Sequence, residues 1–146
     1  MTAVHIAIGV AMVVVNFAAG LLGGWQWWRG RPGAAFWPVL RTGQGLTALA
    51  ALDGLLVLAL GEHLPELHLV YGLTPLAVSF LAEQLRLASA DTVLQARELP
   101  DAQAMRGLPD TEQRAIVHAI VRREMGVMAA SAVVVALLGL RAGGWL

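Results

Sequence analysis

The sequence predicts an all-α fold: an up-down transmembrane four-helix bundle, N- and C-termini outside, with helices 3 and 4 extended into the cytoplasm. Three observations lead there. The chain is 58% hydrophobic and 14% charged over 146 residues, with a mean hydropathy of +0.67, whereas a soluble domain carries about 25% charge. It contains four apolar runs close to the roughly 20 residues that a bilayer core of about 30 Å demands. Its arginines are distributed unevenly among the connections between those runs.

The first run extends from about Thr2 to Gly24. It lacks a basic leader and is followed by Trp25-Gln26-Trp27-Trp28-Arg29 rather than a small-residue cleavage site, so it is expected to be a retained span. The second run covers about 42–61 and the third about 67–85. The fourth, about 125–140, is short and is expected to continue as a helix through Arg122 and Arg123 into water. The length suits a single domain, residues 1–146.

Orientation follows from the basic residues. The first connection holds Arg29 and Arg31, with Arg41 just beyond; the third holds Arg97, Arg106 and Arg114. The second, Gly61-Glu62-His63-Leu64-Pro65-Glu66, holds none. Connections one and three are therefore expected in the cytoplasm of a multi-pass plasma (inner) membrane protein, with Arg141 the dissenting charge. Trp25, Trp27, Trp28 and Trp37 would form the inner aromatic belt and Trp145 part of the outer one. The cytoplasmic connection, about 90–123, is broken by Pro100 and Pro109 and loosened by Gly107. Asp110-Thr111-Glu112-Gln113 reads as a helix start with an Asp cap, and Ile116, Val117, Ile120 and Val121 continue at helical spacing. His118, within this stretch, reads as a solvated or interfacial histidine.

Composition also excludes. A net charge of zero argues against nucleic-acid binding, and the absence of cysteine removes disulfides and thiolate chemistry. No phosphate loop, nucleophile elbow, His-Glu-x-x-His or carboxylate pair is visible, so no catalytic residues are assigned.

The most informative feature is a short repeat. Helix 1 opens Val4-His5-Ile6-Ala7-Ile8-Gly9 and helix 3 opens Leu67-His68-Leu69-Val70-Tyr71-Gly72. Both run the same way through the membrane, which puts His5 and His68 at similar depth near the outer boundary. A residue four positions on lies one turn away on the same face, so Gly9 and Gly72 clear space beneath each imidazole. A flat macrocycle held between two helices by a histidine on each side of its iron needs that arrangement. Plainer readings stand beside it: glycine for close helix packing and histidine in the headgroup region, or a bare metal site with Glu62, His63 and Glu66 nearby.

Asp53 lies mid-helix 2, eight residues before Gly61 and so about 12 Å deep at ~1.5 Å per residue. An intramembrane carboxylate costs roughly 2.5–3.5 kcal/mol on insertion scales. It could be protonated, bond a neighbouring helix, or face the cofactor pocket. Asn16, Gln44, Thr47, Thr74 and Ser79 read as interhelical hydrogen bonds, and Pro75 as a kink beneath His68. Arg41, Glu83, Arg86, Arg122, Arg123 and Glu124 read as snorkelling or paired charges at helix ends, or as a rim for anionic lipid head groups.

In the His68-Leu69-Val70-Tyr71-Gly72 opening and the region from Gln84 to Arg123, the chain resembles small four-helix integral membrane proteins of high-GC, actinobacteria-like bacteria. Its paired helix-borne histidines are similar to those of b-type membrane cytochromes and of one four-helix half of haem A synthase. It lacks the Glu-x-x-His signature of the latter, so oxidation of haem O is not implied. What the resemblance implies is haem b with His5 and His68 as ligands to the iron. Gly9 and Gly72 would give clearance, with Tyr71 and Asp53 beside the ligands. The expected role is electron transfer, haem handling or support of a respiratory complex. The alternatives are a cofactor-free scaffold or assembly subunit, with a membrane protein partner or as a homo-oligomer, and a small transporter using Asp53.

Overall fold

Four helices form in a computed structural model that describes residues 3–61 and 65–146. They are α1 (Ala3–Trp28), α2 (Phe36–Ala59), α3 (Glu66–Gln95) and α4 (Asp110–Ala142), with a short 3₁₀ turn at Ala104–Gly107 and, among the described residues, no strand. The start of α1 meets the end of α2 through His5 and Asp53, and the start of α3 meets the end of α4 through His68 and Ala142. The end of α1 meets α4 at Arg122. Neighbours are thus antiparallel, and the bundle has a histidine end and an arginine-rich end.

Helices α1, α2 and α4 are long and apolar enough to cross a membrane. Helix α3, which carries His68, Thr74, Pro75, Ser79, Glu83 and Gln84, is not among them. The large apolar side chains of α1, including Val4, Ile6, Val10, Val14, Phe17 and Leu21, point outward. Its buried stripe begins with Met12 and Val13 and is small or polar from there on: Asn16, Ala19, Gly20, Gly23 and Gln26. That inversion suits a lipid environment, where association rests on close packing rather than on hiding apolar surface from water.

Helix α4 occupies the centre. It packs along both α1 and α3, α1 packs on α2, and α2 and α3 touch little. The buried residues of α4 form a stripe of Met125, Met128, Ala129, Ala132, Val135, Ala136 and Gly139 at helical spacing, and α1 approaches it at Gly126, Ala129, Val133 and Gly139. A side-chain carbon at Gly20 would sit 2.5 Å from Val133 Cγ2, and one at Gly23 would sit 2.7 Å from Phe36 Cδ2 and 2.9 Å from Ala129 Cβ. Those glycines let the backbones of α1 and α4 approach and leave room for the fully buried ring of Phe36.

Helix ends follow from local chemistry. After α1, Arg31 N donates to Gln26 O and Gly30 N to Trp27 O, with Gly30 at φ 62°. This is the Schellman arrangement, which places a left-handed residue just past the helix. The same pair of bonds ends α4 at Gly144, φ 73°, and α3 at Glu98, φ 56°. Glu98 is the residue there with a Cβ, and the left-handed region costs such a residue roughly 1 kcal/mol.

Two local expectations are corrected. Asp110 does not cap α4: Pro109 holds the cap position without a side-chain bond, and Asp110 is the first helical residue. Pro109 O accepts from Glu112 N and Gln113 N, while the Gln113 side chain turns back to donate to Leu108 O. The second helix begins at Phe36, ahead of the apolar run at 42, because the ring of Phe36 fills the α1–α4 contact.

Two stability outcomes are expected in detergent-solubilised protein. Gly23→Val should lower the melting temperature through overpacking of about 1–3 kcal/mol. Gly24→Ala, where a new Cβ meets nothing within 4 Å, should leave it unchanged or raise it by the helix-propensity gain, up to ~1 kcal/mol. Separately, Glu98→Gly should stabilise by about 1 kcal/mol by relieving the left-handed backbone, read as a higher midpoint of thermal unfolding.

Candidate functional site: a histidine pair in an apolar cavity

The two repeated histidines come together. The rings of His5 and His68 have centroids 5.7 Å apart and planes tilted by 51°. They belong to α1 and α3, helices that run in the same direction and flank α4. Matching positions one residue beyond an apolar opening therefore fall at matching depth.

Each ring is oriented through its Nδ1. His5 Nδ1 lies 2.7 Å from Asp53 Oδ2, with side chains 13% and 19% exposed. In a neutral ring that donates from Nδ1 to this carboxylate, the lone pair resides on Nε2. His68 Nδ1 lies 2.9 Å from Ala142 O. A carbonyl oxygen can only accept, so this nitrogen carries the proton and Nε2 again carries the lone pair. The bond also satisfies one of the four carbonyls left open at the end of α4. Metal-binding histidines are ordinarily held in this way, the second ring nitrogen donating to a carboxylate or a backbone carbonyl.

A cavity of about 260 Å³ lies against the pair. Its walls include Gly9, Gly72, Tyr71, Gly54, Met12 and Trp145, and most of its surface is apolar. A side-chain carbon at Gly9 or Gly72 would meet nothing within 4 Å, so both glycines border open space, as the repeat implied. Gly54 carries a different constraint: a Cβ there would lie 3.5 Å from His5 Cε1. Through Leu73 the cavity adjoins a groove between α2 and α3, bordered by Gln44, Leu76, Phe80 and Glu83. That opening exists because α2 and α3 hardly touch.

All six expected site residues are gathered here. His5, Gly9, His68, Tyr71 and Gly72 line the cavity, and Asp53 reaches it through His5. Of the metal alternative, Glu62 and His63 lie outside the described residues; among those described, no group of three or more His, Cys, Asp or Glu could hold a metal ion. Sequence reasoning missed Trp145, Ala142 and Gly143, which close the cavity from the end of α4. No local pattern marks them, because their role depends on where α4 ends relative to α3.

The other polar residues divide. Asn16 Nδ2 donates across to Gly43 O at 3.1 Å and Thr47 Oγ1 at 3.2 Å, and Gln44 Nε2 donates to Glu83 Oε1 at 2.8 Å, all between helices as expected. Thr74 and Ser79 are corrected: their hydroxyls donate to Val70 O and Pro75 O, one turn back in α3. In a helix the hydroxyl of Thr or Ser has that carbonyl within reach. His118 Nε2 sits 2.9 Å from Gly30 O and is no ligand in this arrangement.

No protein family, curated protein or solved structure matches the chain.

Proposed function

We propose that this chain is a membrane-embedded b-type haem protein that carries electrons, with His5 and His68 as axial ligands. One observation carries the reading: two histidines from different helices have ring centroids 5.7 Å apart, each with its Nδ1 engaged. Two imidazoles on one metal ion, each nitrogen about 2 Å from it, have ring centres about 6 Å apart. The separation here is close to that value without any cofactor to impose it.

The surroundings support the same reading. Gly9 and Gly72 leave the faces beside the rings open, and the walls suit a flat apolar ligand. A macrocycle is larger than 260 Å³, so it would need the adjoining α2–α3 groove as well, where little packing would have to yield. The protein supplies ligands, orientation and a dry environment; bound haem supplies one-electron chemistry.

In this reading α3 is the fourth span, completed by its neighbours. Its charged turn, Glu83 and Arg86, sits where Arg41 and Glu124 pair with it. The arginine-rich end, with Trp25, Trp27, Trp28 and Trp37, faces the cytoplasm of the inner membrane, and both termini and the histidine pair lie on the outer side.

Protein purified in mild detergent, or titrated with haem, is expected to show a Soret band that shifts on reduction with dithionite. His5→Ala and His68→Ala should each abolish the low-spin spectrum, while His118→Ala should leave it intact. A chain that stays colourless after haem titration overturns the proposal. The two histidines would then be what their bonds alone make them, a partner for a buried carboxylate and a cap for α4. Given bound haem, Asp53→Asn should raise the midpoint potential by tens of millivolts, since a carboxylate on an axial histidine increases the basicity of that ligand. Redox titration reads the shift.

A further inference from the structure

Both histidines are the third residue of their helix, α1 or α3, so what distinguishes them is what holds each ring. His5 is seated on α2. Its Nδ1 is 2.7 Å from Asp53 Oδ2, in the body of that helix, and a Cβ at the neighbouring Gly54 would lie 3.5 Å from its Cε1. His68 is held by Ala142 O, 2.9 Å from its Nδ1, and Ala142 is the last residue of α4. One anchor is a carboxylate within a helix; the other is a neutral carbonyl at a helix end. Hydrogen bonds with an ionised partner are roughly twice as strong as neutral ones, and a carboxylate on the far ring nitrogen makes a histidine the more basic ligand. Helix ends are also where local opening costs least. His68 has room to move: Gly72, one turn on along α3, borders open space, and the cavity that both residues line is mostly apolar.

We propose that His5 is the permanent axial ligand and His68 the exchangeable one, which gives way to a small neutral diatomic molecule, carbon monoxide among them, on ferrous haem. This rests on the haem reading and adds a second capacity to it, gas binding beside electron transfer. The exchange balances: the bond from His68 Nε2 to iron breaks, one from the carbon of carbon monoxide forms, and no electron is transferred. His68 leaves as a neutral ring with its proton still on Nδ1. A mostly apolar cavity suits such a ligand, since polarity and access around the iron decide what a haem binds.

The full chain in detergent is loaded with haem, reduced with dithionite and placed under carbon monoxide. The low-spin spectrum of wild type before the gas is added tests the haem reading by itself; if it does not form, that reading and this inference fall together. Wild type is then expected to bind carbon monoxide with a shift of the Soret band. His68→Ala should bind it about tenfold more tightly, because no closed fraction subtracts from its affinity. The C–O stretch, read by infrared spectroscopy, reports which histidine stays. His68→Ala should reproduce the wild-type frequency. Asp53→Asn should raise it, because Asp53 acts on His5 and a weaker donor opposite reduces back-donation into carbon monoxide. Low-spin haem that takes up no carbon monoxide, or an adduct whose frequency ignores Asp53→Asn, overturns the assignment of His68 while leaving the histidine pair standing.

Discussion

Everything in this bundle depends on how closely α1 can approach α4. The approach is made possible by glycine: Gly20 and Gly23 on α1 lie against Ala129 and Val133 on α4. In lipid, hiding apolar surface offers little gain, so contact distance decides whether helices associate. Because α4 is held centrally, α1 and α3 become its two flanks with their starts at one end. That shared end is where His5 and His68 meet.

The second constraint is that polar groups in apolar surroundings need partners. Among the described residues no buried side-chain nitrogen or oxygen lacks one. Asn16 and Thr47 tie α1 to α2, and Gln44, Arg41, Glu83, Arg86 and Glu124 tie α2, α3 and α4 at the arginine-rich end. Asp53, the carboxylate within the apolar helix α2, takes His5. Ties of this kind average only about 0.6 kcal/mol each in membrane proteins, so their main effect is to select one register of the helices. The His5–Asp53 tie sets the orientation of the ring as well.

Helix ends are closed across the bundle as well as locally. The end of α1 receives Arg122 Nε at Trp27 O, with the same guanidinium over the Trp27 ring, and His118 at Gly30 O. The end of α4 receives His68 at Ala142 O. In both cases a side chain able to carry positive charge sits against carbonyls at the negative end of a helix dipole, a favourable placement. The two closures hold the ends of α4 against its neighbours, and one of them orients half of the histidine pair.

Sequence alone determined the number of helices, the membrane-spanning length and apolarity of α1, α2 and α4, and the start of α4 near Asp110, since length, hydropathy and proline breaks are local properties. It also determined that His5 and His68 share a depth, because the repeat, with its glycine four residues on, counts residues from the same helix start. Only the tertiary structure decided that the two rings lie next to each other, that Asp53 serves His5, and that Thr74 and Ser79 turn back on their own helix. Those outcomes depend on the rotation of each helix about its axis and on which neighbours touch. Both are set by small-residue contacts between segments more than 100 residues apart in the chain, as between Gly20 and Val133. The role of the end of α4 belongs to the same class: Ala142, Gly143 and Trp145 carry no motif, and reach the cavity because α4 ends beside the start of α3.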